Sequence, residues 1–463
     1  MRRLGYLLVI ASVLALVIPA APATAGHDND PRTKNLHPMG HIEEPASLLN
    51  ADVGNPDVHT DIAFWGSLAF QGSWLGFNIR DISAPGNPKH VSYTSCAGNQ
   101  GDVVVWGDIL VRSWNTPAGT PGLFGAGTTC DGHDVPIGFE GLHIFDVSDI
   151  TDPELIGSVD LSATALPATA DRPARCGSHT ATGVPDLANN RLLIYNSGAG
   201  CAGIDIVEIP LSDPASASFL RWEAADDPAV GFGRDCHDTG VILGDALWAA
   251  CAGDDGYTLW SLGGASGGSL EDPRFMYSRT VPGVTIGHAA SFSWDGEVLV
   301  FEHEPGGGVG PACEANDPDS DKSLFFFETT SGDLLGTWVL PRAQSSTENC
   351  SIHNFNIVPL RSGRDVVVAG NYQAGTWVVD FTDPSNPVTV AWSDPPAAPV
   401  PPPPGDFLGL DIVGAWSSYW YNGFIYETNI GEGLNIFRLS GKATAGAIRL
   451  DHLNPVTQEF TIP

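Results

Sequence analysis

The stretch GLHIFDVSDITDPELIG, Gly141 to Gly157, decides the fold. It reads as an apolar strand, a turn and the start of another strand. Asp152-Pro153 sits where a turn should open, because Asp before Pro favours turn initiation. The phrase recurs as WLGFNIRDISAPGNPKHV from Trp74, GIDIVEIPLSDPASASFL from Gly203 and TWVVDFTDPSNPVTVAW from Thr376. Weaker copies are YTLWSLGG at Tyr257, SLFFFETTSGDLLGTW at Ser323 and LNIFRLSG at Leu434, which makes seven. A fixed self-similarity of this kind marks a repeat architecture.

A second phrase precedes the copies: a strand, a Gly turn and another apolar strand. Examples are VHTDIAFWGSLAFQGS from Val58, QGDVVVWGDILVRSW from Gln100, CHDTGVILGDALWAAC from Cys236, GHAASFSWDGEVLVFE from Gly287 and AWSSYWYNGFIYETN from Ala415. Together the phrases give four strands per unit, and seven such units describe an all-β, seven-bladed β-propeller. The two chain ends should pair to close it. Residues 56–463 are expected to form the propeller, with 26–55 leading into it and a stiff Pro-rich insertion at 395–406.

The first residues, MRRLGYLLVIASVLALVIPAAPATAG, place two arginines before an apolar run that ends in Ala23-Thr24-Ala25. That pattern predicts a signal peptide over residues 1–25 and a secreted, extracellular mature protein with no transmembrane anchor. The eight cysteines fit export, because an even count in a secreted chain argues for disulfides. Their positions around the repeat suggest Cys96–Cys130, Cys176–Cys201, Cys236–Cys251 and Cys313–Cys350, each tying a loop on one face to an inner strand. Lys and Arg number 21 against 54 acids, a formal charge of −33. So acidic a surface repels nucleic acid and anionic lipid.

In a propeller the first strand of each blade lines the central channel. Alignment on the Gly turn gives the residue that begins each inner strand: His59, Gln100, His179, His237, His288, His353 and Trp416. Five of these seven positions are His in a chain that has only 13. Such a column either seals the channel end by packing or converges on a ligand. Imidazole is the commonest metal ligand, and a mostly imidazole site suits one copper, zinc or iron ion. Asp61, Asp238, Glu302 and Glu304 lie close enough in sequence to orient the rings or serve as acid–base groups.

FNIRDISAPGNP, LHIFDVSDITDP and WVVDFTDPSNP resemble the LVIVD-repeat family of exported proteins. The resemblance spans nearly all of the mature chain. It implies a β-propeller and adds little about chemistry. A more distant similarity, through channel histidines alone, is to the selenium-binding-type propellers, the methanethiol oxidases, and implies copper.

Smaller signals are weaker. Asp317, Asp319, Asp321 and Glu328 echo a calcium loop, but Lys322 stands where Gly is needed, so a solvated loop is expected. His37 and His41 precede the first blade without an assigned role. Two functions are compatible with the whole. The first is an extracellular binding or scaffold protein whose partner is an unknown ligand or protein. The alternative is a metal-dependent redox or hydrolytic enzyme built on the channel histidines.

Overall fold

The computed structural model describes residues 30–462 except 44–48, 51–54, 123, 170–176, 199, 226–233, 309–312, 347 and 397–413. The signal-peptide expectation and nearly all of the Pro-rich insertion lie outside the described residues. Among the described residues no helix is long and apolar enough to cross a membrane.

The chain is all-β, laid out in successive antiparallel runs of four strands. The first is His59–Trp65, Leu68–Ser73, Gly76–Asp81 and Lys89–Ser95. The run holding the opening stretch is Val103–Trp106, Ile109–Trp114, Gly141–Asp146 and Glu154–Asp160. Runs starting at Thr180–Asp186, Asp238–Ile242, Gly287–Phe292 and Asn354–Ile357 follow. The last run combines Ala415–Tyr421, Phe424–Asn429 and Gly433–Leu439 with Leu36–Ile42 from the other end of the chain. His37 and His41 therefore sit on an outer strand, where they bond Ser440 Oγ at 2.9 Å and Asn435 Oδ1 at 2.8 Å.

The middle strands of a run are buried on both faces, so they read as nearly continuous apolar stretches. On Gly141–Asp146, Leu142 and Ile144 pack with Leu192, Ile194 and Val207 of the next run. Phe145, on the other face, packs with Phe77 and Ile79 of the preceding run. Most further apolar clusters join one run to its neighbour, and one joins Tyr419, Tyr421 and Ile436 back to Ile62 and Phe64. The repeat's Asp acts on its own turn. Asp81, Asp146 and Asp380 each accept the backbone N–H two residues on, from Ser83, Ser148 and Thr382. This is the Asx turn, which the side chain makes on its own backbone.

Cys96–Cys130, Cys236–Cys251 and Cys313–Cys350 are bonded. Cys201 is also disulfide-bonded, and Cys176 falls outside the described residues.

Residues 451–462 lie across the far ends of the inner strands. Leu453 pairs with Phe64, and Thr457 and Gln458 pair with Val241 and Ile242. The Asn454 amide clamps Val105, accepting its N–H and donating to its C=O, both at 2.9 Å. Gln458 does the same to Phe292, at 3.3 and 2.9 Å. Thr457 Oγ1 donates to Gly183 O at 2.7 Å.

Candidate functional site: a histidine-lined channel mouth

The inner strands start side by side, so their first residues meet. Adjacent strand ends are laced: Thr60 Oγ1 donates to Gly101 O at 2.8 Å, Ser113 Oγ to His179 O at 2.9 Å and Thr180 Oγ1 to His237 O at 2.6 Å. The cavity they enclose holds about 20 Å³. His179, His237, His288 and His353 line it, together with Gln100, Trp416, Asp61, Asp102 and Asp238.

His59 departs from the expectation. It is fully buried, but it is not among the residues lining the cavity. The next two residues of its strand, Thr60 and Asp61, are on the wall, as Gly101 and Asp102 are in the following run.

The four remaining imidazoles form a continuous arc. Ring centroids are 4.4 Å apart for His179–His237, 4.2 Å for His237–His288 and 4.1 Å for His288–His353. Their tautomers can be read from the partners of Nδ1. His353 Nδ1 faces the Trp416 carbonyl at 2.5 Å. A carbonyl only accepts, so Nδ1 carries the proton and Nε2 the lone pair. His179 Nδ1 faces Asn115 Oδ1 at 2.6 Å, which again leaves Nε2 as the lone pair. His288 Nδ1 is engaged by Glu302 Oε1 at 2.5 Å. His179 Nε2 lies 3.0 Å from His237 Nε2, so the two share a proton or a cation.

Glu304 completes the arc. Its Oε1 is 3.5 Å from His353 Nε2, and its Oε2 is 3.9 Å from His288 Nε2. The Tyr372 hydroxyl donates to the same Oε1. One ligand atom each from His237, His288 and Glu304 lie within 4.8 Å of one another. Cys96, Cys130 and His143 cluster as tightly, but those sulfurs are bonded to each other and so do not serve as thiolate ligands.

Burial sets the protonation of every member. It lowers His179 to about 4 and His353 to about 3, and holds His237 and His288 well below the usual imidazole value. It raises Glu304 to about 7, and with the charges of Glu304 and Asp238 it holds Glu302 well above the carboxylate range. The rings are therefore neutral and the acids hold protons readily, which is how a buried cluster avoids bare charge.

Asp61 and Asp238 lie on the wall and not behind the rings. Burial raises them to about 6 and about 7. Asp102 is raised further by burial and then by the charges of Asp61 and Asp238. Its two oxygens accept Val103 N–H at 2.8 Å and Ala181 N–H at 2.7 Å. Sequence reading missed Asp102, although it follows Gln100 by two positions just as Asp61 follows His59. Asn115 and Tyr372 come from connecting segments with no comparable signal.

The calcium-like loop holds a cation of its own. Lys322 Nζ donates to Glu314 O at 2.9 Å and Asp317 O at 3.1 Å.

The profile of the LVIVD repeat matches residues 137–161, which contain the opening stretch. The chain carries an LVIVD repeat. No curated protein matches it. Among solved structures, one similar chain comes from the "Crystal Structure of Mitotic Checkpoint Complex". It is 12% identical with a TM-score of 0.50, over 94% of this chain and 100% of that one. A protein from Lactobacillus plantarum is 11% identical with a TM-score of 0.50, over 87% of this chain and 98% of that one. At such identities the likeness concerns the fold alone. The LVIVD-repeat chain thus has a propeller-like fold.

Proposed function

We propose that this LVIVD-repeat chain is an exported, seven-bladed β-propeller that binds one transition-metal ion at the histidine end of its channel. The observation that carries the reading is the tautomer arrangement. Nδ1 of His179, His288 and His353 is occupied by Asn115, Glu302 and the Trp416 carbonyl, while Nε2 of His288 and His353 lies beside Glu304 and Nε2 of His179 beside His237 Nε2. Metal-binding histidines are held by just such partners on the far ring nitrogen. A neutral imidazole set with one carboxylate favours copper, zinc or iron over calcium or magnesium. The blade count rests on the four-strand runs and on the last cluster, which returns to the first run. Export rests on the leader-like first residues and the disulfides.

A cavity of about 20 Å³ has room for an ion among the ring nitrogens and at most one very small molecule, but not for an organic ring. A scaffold role would therefore belong to the loops, whereas the ion alone accounts for the channel histidines. If the ion supports redox or hydrolytic turnover, Asp238 on the cavity wall and Glu302 behind His288 are the acid–base candidates. The test is elemental mass spectrometry on tag-free protein from an exporting host, beside the His237→Ala/His288→Ala double variant. About one transition-metal ion per chain is expected in the wild type, and none in the variant. A wild type that stays metal-free after incubation with copper, zinc and iron overturns the reading.

A further inference from the structure

Resting on that metal-ion reading, we propose that the bound ion keeps one coordination position for a neutral ligand of one or two heavy atoms, and that the channel excludes anything larger. The cavity volume carries the argument. About 20 Å³ is little more than the 10–15 Å³ that one water needs. An ion held among the Nε2 atoms leaves room beside it for one such molecule and no ring.

The walls resist widening. Three of the histidines that line the cavity sit at inner-strand starts whose backbone is fixed. His179, His237 and His353 N–H donate to Ser197 O, Ala252 O and Gly370 O at 2.7, 2.7 and 2.8 Å. Neighbouring strands are laced by Thr60, Ser113 and Thr180, and Cys236–Cys251 pins the strand that follows His237. Residues 451–462 cover the opposite end, with Asn454 and Gln458 clamping inner strands. Entry is therefore assigned to the histidine end, whose wall includes Gln100 and Trp416.

Charge narrows the class further. A chain of net charge −33 repels small anions at its surface, whereas Asp61, Asp102 and Asp238 on the cavity wall hold protons readily and offer hydrogen bonds rather than charge. Asp238 commits one oxygen to the Thr239 N–H at 2.7 Å and can accept a hydrogen bond with the other. The site thus suits water or a neutral diatomic better than a halide or azide.

The experiment uses the full chain loaded with cobalt(II), whose visible bands report its ligands. Nitric oxide is the neutral diatomic probe, and imidazole in large excess is the bulky neutral one. The expected result is a band shift with nitric oxide and none with imidazole, the cobalt content being unchanged. Trp416→Ala, or Gln100→Ala should the first fail to fold, widens the mouth and brings out an imidazole shift. An imidazole shift in the wild type, or no nitric oxide shift while cobalt is bound, overturns the proposal and leaves the metal site standing. Failure to bind cobalt, copper, zinc or iron at all overturns the metal reading beneath it.

Discussion

At the scale of single residues, Tyr372 ties the site together. Its backbone φ is +43°, a left-handed conformation that bulky residues avoid. Two glycines make room for it: a Cβ on Gly308 would fall 2.6 Å from the Tyr372 hydroxyl, and one on Gly414 would fall 2.3 Å from its carbonyl carbon. That strain holds the phenol on Glu304 Oε1 and the ring 4.5 Å from His353. Tyr372→Phe keeps the backbone and removes only the hydroxyl. It should therefore leave folding intact and weaken metal affinity by about 10–100-fold, the usual effect of losing such a partner. Competition with a metallochromic chelator measures it, and unchanged affinity would sink the role. His143, away from the channel, gives the pH test. Burial first, and then the Arg112 charge, lower it to about 3. The unfolded chain takes that proton near 6.5, so the stability this His contributes is complete above 6.5 and drains away as pH falls toward 3. The rate is up to about 1.4 kcal/mol per pH unit. His143→Phe, set between Trp114 and Phe139, should lose less stability than wild type between neutral and acid pH in urea titrations. A parallel decline in both would refute it. The histidine column could be read from sequence because blade register fixes it. Asn115 and Tyr372 could not, because connecting segments carry no register, and the register does not distinguish His59, which lies off the cavity, from His288, which lines it.

At the scale of elements, the repeat phrase announced itself because each part does a local job. The apolar stretch follows from two buried faces, and the Asp closes its own turn. The contact between inner strands was less legible, since it depends on backbone approach. Gly240, on Asp238–Ile242, makes this plain: a Cβ there would stand 2.0 Å from Ala290 O on the next inner strand. Backbone cannot step aside as a flexible side chain can. Gly240→Ala should cost about 1–3 kcal/mol or more through overpacking. Because the strand begins at Asp238 beside His237, metal affinity should fall with it. Gly363→Ala is the control. It carries a positive φ penalty at +66° but meets nothing within 4 Å. Thermal unfolding of the pair separates the two effects, and equal losses would mean that the inner strands do not press on each other.

At the scale of the whole molecule, closure is achieved twice, and the sequence announced only one of the two. Pairing of Leu36–Ile42 with Gly433–Leu439 joins the chain ends within one sheet, as repeat folds require of their termini. The second closure, by residues 451–462, had no repeat pattern to reveal it. It works through side-chain amides that imitate a strand edge. Asn454 and Gln458 each engage both the N–H and the C=O of one residue, in runs that are not neighbours. Asn356 repeats the device between the last two runs, accepting Trp420 N–H at 2.8 Å and donating to its C=O at 3.0 Å. These clamps bridge inner strands where no continuous sheet can, so removing them should loosen the ring rather than any single run. An Asn454→Ala/Gln458→Ala double variant deletes four such hydrogen bonds, each worth about 0.5–1.5 kcal/mol net. Hydrogen exchange locates the loss. The Val105 and Phe292 amides should lose protection by far more than those of the outer strand Glu154–Asp160, which the tail does not touch. Protection lost evenly across inner and outer strands would instead mean that the tail contributes only to global stability, and that the channel's far end is held shut by the blades alone.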